Sequence, residues 1–303
     1  MFNPLVNITL IFILISHDRH SFLCKLMKTS VTIVIPIYKP TISSLETASL
    51  NQCFKILGNY NIVAVKPHSL QLNNYPYQFK EVYSFDDEYF KDISGYNKLM
   101  LSPSFYKTFL TQKFILIYQL DAFVFKDELS KWCNSGFDYI GAPWLREADY
   151  PDFIKRIKNK ILSYIHIRYN KKSKNSDLPS DLQFENKVGN GGFSLRKTQK
   201  FYMLCLSEQQ QITHYMKKAS HRFNEDAFWS IEVNRKHQRL KIPNYKKAAY
   251  FALENNCEFG LKLTKGQLPF GCHAWDKNLD FWLPFLQEFG YELNDAHKIE
   301  IND

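Results

Sequence analysis

Glycine is scarce in this chain, 11 of 303 residues, and no glycine-serine run or internal repeat interrupts it. Those absences exclude a flexible linker between modules and a repeat array. The six cysteines (Cys24, Cys53, Cys133, Cys205, Cys257, Cys272) include no C-x-x-C pair. That disfavours a zinc cage or a disulfide framework and implies a reducing compartment. Long apolar runs are missing too. Leu5 to Ile15 is nearly all apolar, but eleven residues cannot cross a bilayer as a helix. No basic segment precedes it and no clear small-residue cleavage site follows, which disfavours a secretion signal. A translation start at Met27 accounts for the segment, leaving residues 1–26 as an untranslated or disordered extension. The alternative is a short membrane-touching anchor.

What is present suits one α/β domain over residues 27–303, since 45% of the residues are hydrophobic and can bury a sizeable core. The net charge of +9 suits an anionic partner, although the same Lys-, Asn- and Ile-rich composition arises from AT-rich coding alone. Val31 to Pro36 predicts a buried strand. A helix should follow, with Ser43 and Glu46 as a capping box, an apolar stripe through Leu45, Ala48, Cys53, Phe54 and Leu57, and Gly58 as its stop. Asn61 to Lys66 completes a βαβ unit, so the sheet starts parallel. Ser102-Pro103 opens another helix, carrying Phe105, Tyr106 and Phe109. Phe114 to Asp121 reads as a central parallel strand ending on an acid, where open α/β sheets place ligands. A short helix from Asp127-Glu128 and a strand over Phe137 to Ala142 come next.

Residues 155–174 hold eight Lys and Arg and no acid, with Ile154, Ile157, Ile161 and Ile165 at helical spacing. This predicts a basic amphipathic helix in an insertion at about 150–180. It either packs its apolar face on the domain or touches anionic lipid.

Four polar clusters carry candidate chemistry, each with a plainer reading beside it. Asp121 can help hold a divalent metal, or merely cap the next helix. Gly189-Asn190-Gly191-Gly192 lets backbone approach a ligand, or makes a tight turn before the strand Phe193-Ser194-Leu195. It is no P-loop, because no Gly-Lys-Ser/Thr follows. Asn224-Glu225-Asp226 begins a helix whose acids serve the helix dipole or a general base. His273, in Phe270-Gly271-Cys272-His273-Ala274-Trp275, suits manganese or is a packed histidine.

In this order the clusters resemble the shared core of GT-A-fold glycosyltransferases. More narrowly, Tyr118 to Asp121, Asp138 to Trp144, Gly189 to Arg196 and Asn224 to Asp226 look like a bacterial glycosyltransferase-like family of unknown function. The resemblance covers about residues 30–285. It implies a Rossmann-like, mostly parallel central sheet flanked by helices. It also implies a nucleotide-diphosphate sugar as donor and a glycan or lipid-linked hydroxyl as acceptor, with inversion, in cytoplasmic assembly of surface polysaccharide. By the same resemblance Asp226 is the base and Glu225 assists acceptor binding. Asp121 takes the last position of a DxD-like metal motif for Mn²⁺ or Mg²⁺, and His273 contacts metal or diphosphate. Pro36, Tyr38, Lys39, Lys66, Tyr96, Asn97, Lys98, Gln119, Gly191 and Gly192 fall to the donor.

One departure is plain: Gln119 stands where that motif has its first carboxylate. A metal-independent enzyme, with Lys39, Lys66 or Lys98 neutralising phosphate, stays open. A nucleotidyltransferase and a catalytically inactive glycan- or nucleic-acid-binding module are the rivals. Nucleic acid is not the expected partner. Peripheral contact with the inner membrane face, through residues 154–174, is an expectation of the basic segment.

Overall fold

Val31–Pro36 forms β1, every residue of it buried. Helix α1 (Ser44–Leu57) starts at the expected box: Ser43 accepts from the Glu46 amide while the Glu46 carboxylate accepts from the Ser43 amide. Strand β2 (Asn61–Pro67) lies parallel to β1, so the βαβ unit holds. These elements come from a computed structural model that describes residues 30–73, 75–218, 220–293 and 299–301. The expectations for residues 1–26, the Leu5–Ile15 run and Met27 lie outside the described residues.

Strand β3 (Glu81–Phe85), which no sequence pattern announces, pairs parallel to β2 at the sheet edge. Its mostly exposed residues form no continuous apolar run. Helices α2 (Ile93–Met100) and α3 (Pro103–Thr108) follow, capped by Asp92 and Ser102. Strand β4 (Phe114–Tyr118) is fully buried and parallel to β1. It stops three residues short of Asp121, which lies in a turn closed by the Ala122 amide donating to the Gln119 carbonyl at 2.9 Å.

Strand β5 (Phe123–Val124), α4 (Leu129–Cys133) and β6 (Tyr139–Ile140) come next. The strand expected over Phe137 to Ala142 thus shrinks to two residues. After α5 (Phe153–Arg168), β7 (Phe193–Lys197) returns antiparallel between β4 and β6. The central sheet has the order β3-β2-β1-β4-β7-β6, parallel except for β7. With helices against it, this is the α/β fold with a mostly parallel sheet.

A second sheet of three short strands, order β5-β9-β8, uses β8 (Ala252–Leu253) and β9 (Gly271–Cys272). Ser49 and Gln52, buried polar residues of α1, hold β5 by donating to the Ala122 and Val124 carbonyls at 2.5 and 2.9 Å. The small sheet is thereby fixed against the large one. All five described cysteines are buried and unpaired.

Candidate active site

The parallel strands β1 and β4 end at one rim of the central sheet, and β7, running the other way, begins there. Pro36–Lys39 follow β1, Gln119–Asp121 follow β4, and Gly191–Gly192 precede β7. The Gln119 amide donates to the Gly192 carbonyl at 2.8 Å and ties two of these segments together.

The second sheet delivers the other half of the site. In β8 and β9, Leu253 pairs with Cys272, so the next residues, Glu254 and His273, emerge side by side. Phe123 of β5 pairs with Cys272 from the opposite direction, which brings Asp121 to the same place. The outcome is a row of charge: His273 Nε2 lies 3.1 Å from Asp121 Oδ1 and 3.2 Å from Gln119 Oε1, and its Nδ1 lies 3.0 Å from Glu254 Oε1. Asn190 sits beside the row, its Nδ2 2.9 Å from His273 Nδ1 and able to donate to the Glu254 carboxylate.

Burial alone would push the imidazole towards its neutral form. The carboxylates of Asp121 and Glu254 overcome that and raise it to about 10. Burial likewise acts to raise Asp121, but His273 prevails and holds its carboxyl below the usual range, as it does for Glu254.

Asp226 comes from the far side. Asn97, within α2, accepts from the Glu225 amide at 3.0 Å and donates to Asn224 Oδ1 at 3.0 Å, capping the helical turn Glu225–Ala227. Glu225 faces inward to a fully buried Arg196, whose two terminal nitrogens reach its two oxygens at 3.1 and 2.8 Å. Arg196 also donates to the Tyr106 hydroxyl and the Gly191 carbonyl, so one guanidinium braces the helix start and the glycine loop together. Asp226 points to the cavity. Burial, then the Glu225 and Glu254 carboxylates, push it up to about 7.

Apart from Arg196 and Tyr106, which brace it from behind, these groups line one cavity of about 720 Å³, a size suited to a small-molecule ligand. Of the residues expected from sequence, Pro36, Tyr38, Lys39, Tyr96, Asn97, Gln119, Asp121, Gly191, Gly192, Glu225, Asp226 and His273 line it. Lys66 and Lys98 do not. Lys66 turns its ammonium to the Pro67 carbonyl at 3.2 Å. Lys98 follows Asn97 by one helical step of about 100°, so it points to solvent while Asn97 is buried. Glu225 lines the cavity but gives both its oxygens to Arg196, and so supports the turn.

The glycine loop serves close approach, not unusual backbone angles. Asn190 takes the positive φ of 78°, whereas Gly189, Gly191 and Gly192 have none. A β-carbon on Gly192 would stand 1.9 Å from His273 Nε2, and one on Gly191 2.2 Å from Glu225 Oε1. Sequence reading missed Arg196, Glu254 and Lys277, and took Asn190 only as part of the glycine loop. Arg196 ends the quoted glycine segment and was the one legible signal, an arginine inside an apolar strand, which demands a buried partner.

The lining holds seven carboxylates against three lysines and His273, so the basic excess of the whole chain does not reside there. Asp121 Oδ1, Gln119 Oε1 and His273 Nε2 converge, and Glu254 can fix the imidazole by accepting from Nδ1. Two oxygen acceptors around that nitrogen require a cation between them, a proton or a metal ion. Among the described residues no three His, Cys, Asp or Glu side chains gather as a metal cage. A divalent ion here fits only as a mixed set with the Gln119 amide oxygen as a donor.

Residues 79–273, more than half of the chain, match a family described as a protein of unknown function, DUF5672. The chain belongs to the DUF5672 family. Among curated proteins, none matches this DUF5672 sequence. Two crystal structures of the glycosyltransferase GlyE in Streptococcus pneumoniae TIGR4 are similar to it at 11% and 12% identity, with TM-scores of 0.42 and 0.43. The matches cover 81% of this chain and 54% of theirs, so the DUF5672 chain spans about half the length of those proteins. At such scores the likeness carries no argument about activity.

Proposed function

We propose that this DUF5672 chain is a GT-A-like glycosyltransferase that moves a sugar from a nucleotide-diphosphate donor to an acceptor hydroxyl with inversion. The observation that carries the reading is the shared cavity. It holds a carboxyl raised to about 7 (Asp226) together with a half-buried Asp121–His273–Glu254 row.

A base that titrates near neutrality can take the acceptor proton as the hydroxyl attacks. Asp226 fills that role, and Asn97 and the Arg196–Glu225 pair hold the turn that aims it. Gly191 and Gly192 leave room for the donor sugar against the loop. Pro36, Tyr38 and Lys39, at the end of β1, receive the nucleoside; the Tyr38 ring is exposed and free to stack. His273, charged below about 10, and Lys277, whose charge reaches Asp121, face the diphosphate side. Asp121, Gln119 and His273 would hold Mn²⁺ or Mg²⁺, which when bound neutralises charge on a departing diphosphate. A glycan or lipid-linked acceptor in polysaccharide assembly at the cytoplasmic membrane face is the pathway proposed.

The test is a thermal-shift series with UDP, GDP and nucleoside triphosphates, each with and without Mn²⁺, followed by mass spectrometry of products from a nucleotide-sugar panel. Stabilisation by a nucleoside diphosphate and a new glycosylated product are expected. Stabilisation by triphosphate alone would move the reading to a nucleotidyltransferase. Stabilisation by neither would leave a binding module.

A further inference from the structure

Helix α5 is turned inside out. Its domain-facing side is polar: Ser163 is buried, Asn159 reaches Glu185 Oε1 at 3.5 Å, and His166 Nδ1 lies 2.7 Å from the Ser180 hydroxyl. Five of its apolar residues face water instead, while Leu162, Ile165 and Ile167 are half-buried. Phe153 is 70% exposed, Ile154 77%, Ile161 54% and Tyr164 66%, and Ile157 joins them. At 3.6 residues per turn these five fall within an arc of roughly 100°. A surface helix of a water-soluble protein shows the reverse arrangement. A shallow apolar groove runs along the stripe, lined by Phe153, Ile154, Ile157, Ile161, Leu162 and the stem of Lys158.

The charge around the stripe decides what covers it. Residues 155–174 carry eight basic side chains and no acid. Lys158 and Lys160 flank the stripe on either side and form no ion pair among the described residues, and Arg168 closes its C-terminal end. The nearest acids are occupied: Asp152 caps the helix by accepting from the Lys155 amide, Asp149 pairs with Arg156, Glu185 with Arg146 and Asp181 with Arg222. An apolar ridge between unpaired cations matches a bilayer whose headgroups are negative. No helix of the described residues is long and apolar enough to cross a membrane, so this helix would lie along the surface.

We propose that α5 docks the protein on an anionic lipid bilayer, with Phe153, Ile154, Ile157, Ile161 and Tyr164 inserted and Lys158, Lys160 and Arg168 among the headgroups. The excursion that carries α5 leaves and rejoins the domain at one neck, where the Trp144 amide and carbonyl bond Lys187 and Asn186 at 2.8 Å each. That neck adjoins Gly189, the first glycine of the cavity loop, which packs on Trp144. A docked helix therefore holds the cavity near the membrane. The lipid contact itself does not depend on the transfer reading.

Co-sedimentation of the full chain with vesicles tests it, using phosphatidylcholine alone and phosphatidylcholine mixed with phosphatidylglycerol. The protein should pellet with the mixed vesicles and not with the neutral ones, and high salt should weaken the binding. The pair Ile154→Glu and Ile161→Glu should reduce binding at least about tenfold, and so should Lys158→Glu with Lys160→Glu. All four side chains are solvent-exposed, so melting temperatures should stay unchanged. Equal pelleting with both vesicles, or binding that survives the isoleucine changes, would overturn the proposal. So would a dimer in size-exclusion chromatography that those changes dissociate, because the stripe would then belong to a second copy.

Discussion

Asp226→Asn gives a sharp test of the site because it changes stability with pH in a calculable way. An ordinary aspartate titrates at 3.8, whereas Asp226 is pushed up to about 7 by burial and by Glu225 and Glu254. The folded protein therefore binds this proton more tightly than the unfolded chain, and stability falls as pH rises from 3.8 towards 7. Asparagine keeps the shape and the acceptor for the Ala227 amide, which Asp226 Oδ1 meets at 2.8 Å, but does not titrate. Its advantage over aspartate should grow between about pH 5 and about pH 8 by roughly 2.5 kcal/mol at most. Water at the open side of the cavity lowers that figure, so about 1–2.5 kcal/mol is expected, or roughly 2–8 °C in melting temperature. The assay is calorimetric melting of both proteins across that pH range in EDTA, which keeps metal ions away. A difference that stays flat with pH would refute the raised carboxyl and, with it, the general-base role.

In the transfer assay the same variant should lose at least about a hundredfold in turnover while keeping nucleotide affinity. Wild-type activity should rise with pH through about 7; a flat profile would remove the base assignment. Arg196→Met should cost about 3–5 kcal/mol, because it leaves Glu225 charged and unpaired inside the protein, and chemical denaturation reads this directly. Gly192→Ala should abolish ligand binding with little loss of secondary structure, since its β-carbon would meet His273 and Gln119; circular dichroism beside nucleotide titration separates the two effects. Mn²⁺ should lower the pH at which His273 titrates, by competing for Nε2, and histidine NMR would detect it. Unchanged titration in the presence of Mn²⁺ would rule out the mixed metal set.

The four polar clusters were legible because each is short, chemically uneven and placed at the end of an apolar run. The capping box at Ser43 and the buried run before Tyr118 could be read by periodicity alone. The amphipathic helix was legible as well, as a pattern of isoleucines among lysines. Those features depend on neighbours in the chain, and local physics fixes them.

Convergence is a different matter. Whether residues 121, 192, 226 and 273 meet depends on the antiparallel insertion of β7 and on a sheet of two-residue strands too short to show any period. Glu254 looks like any surface acid until β8 and β9 align it with His273. Lys98 and Lys66 looked like phosphate ligands until helix phase and strand packing turned them away. The direction of α5 was equally hidden: its sequence specifies two faces, but only the neighbouring Glu185 and Ser180 decide which face meets the protein and which meets water. Sequence thus determined the chemical inventory and its local supports. Long-range pairing, which no window of residues contains, decided which members of that inventory share a cavity.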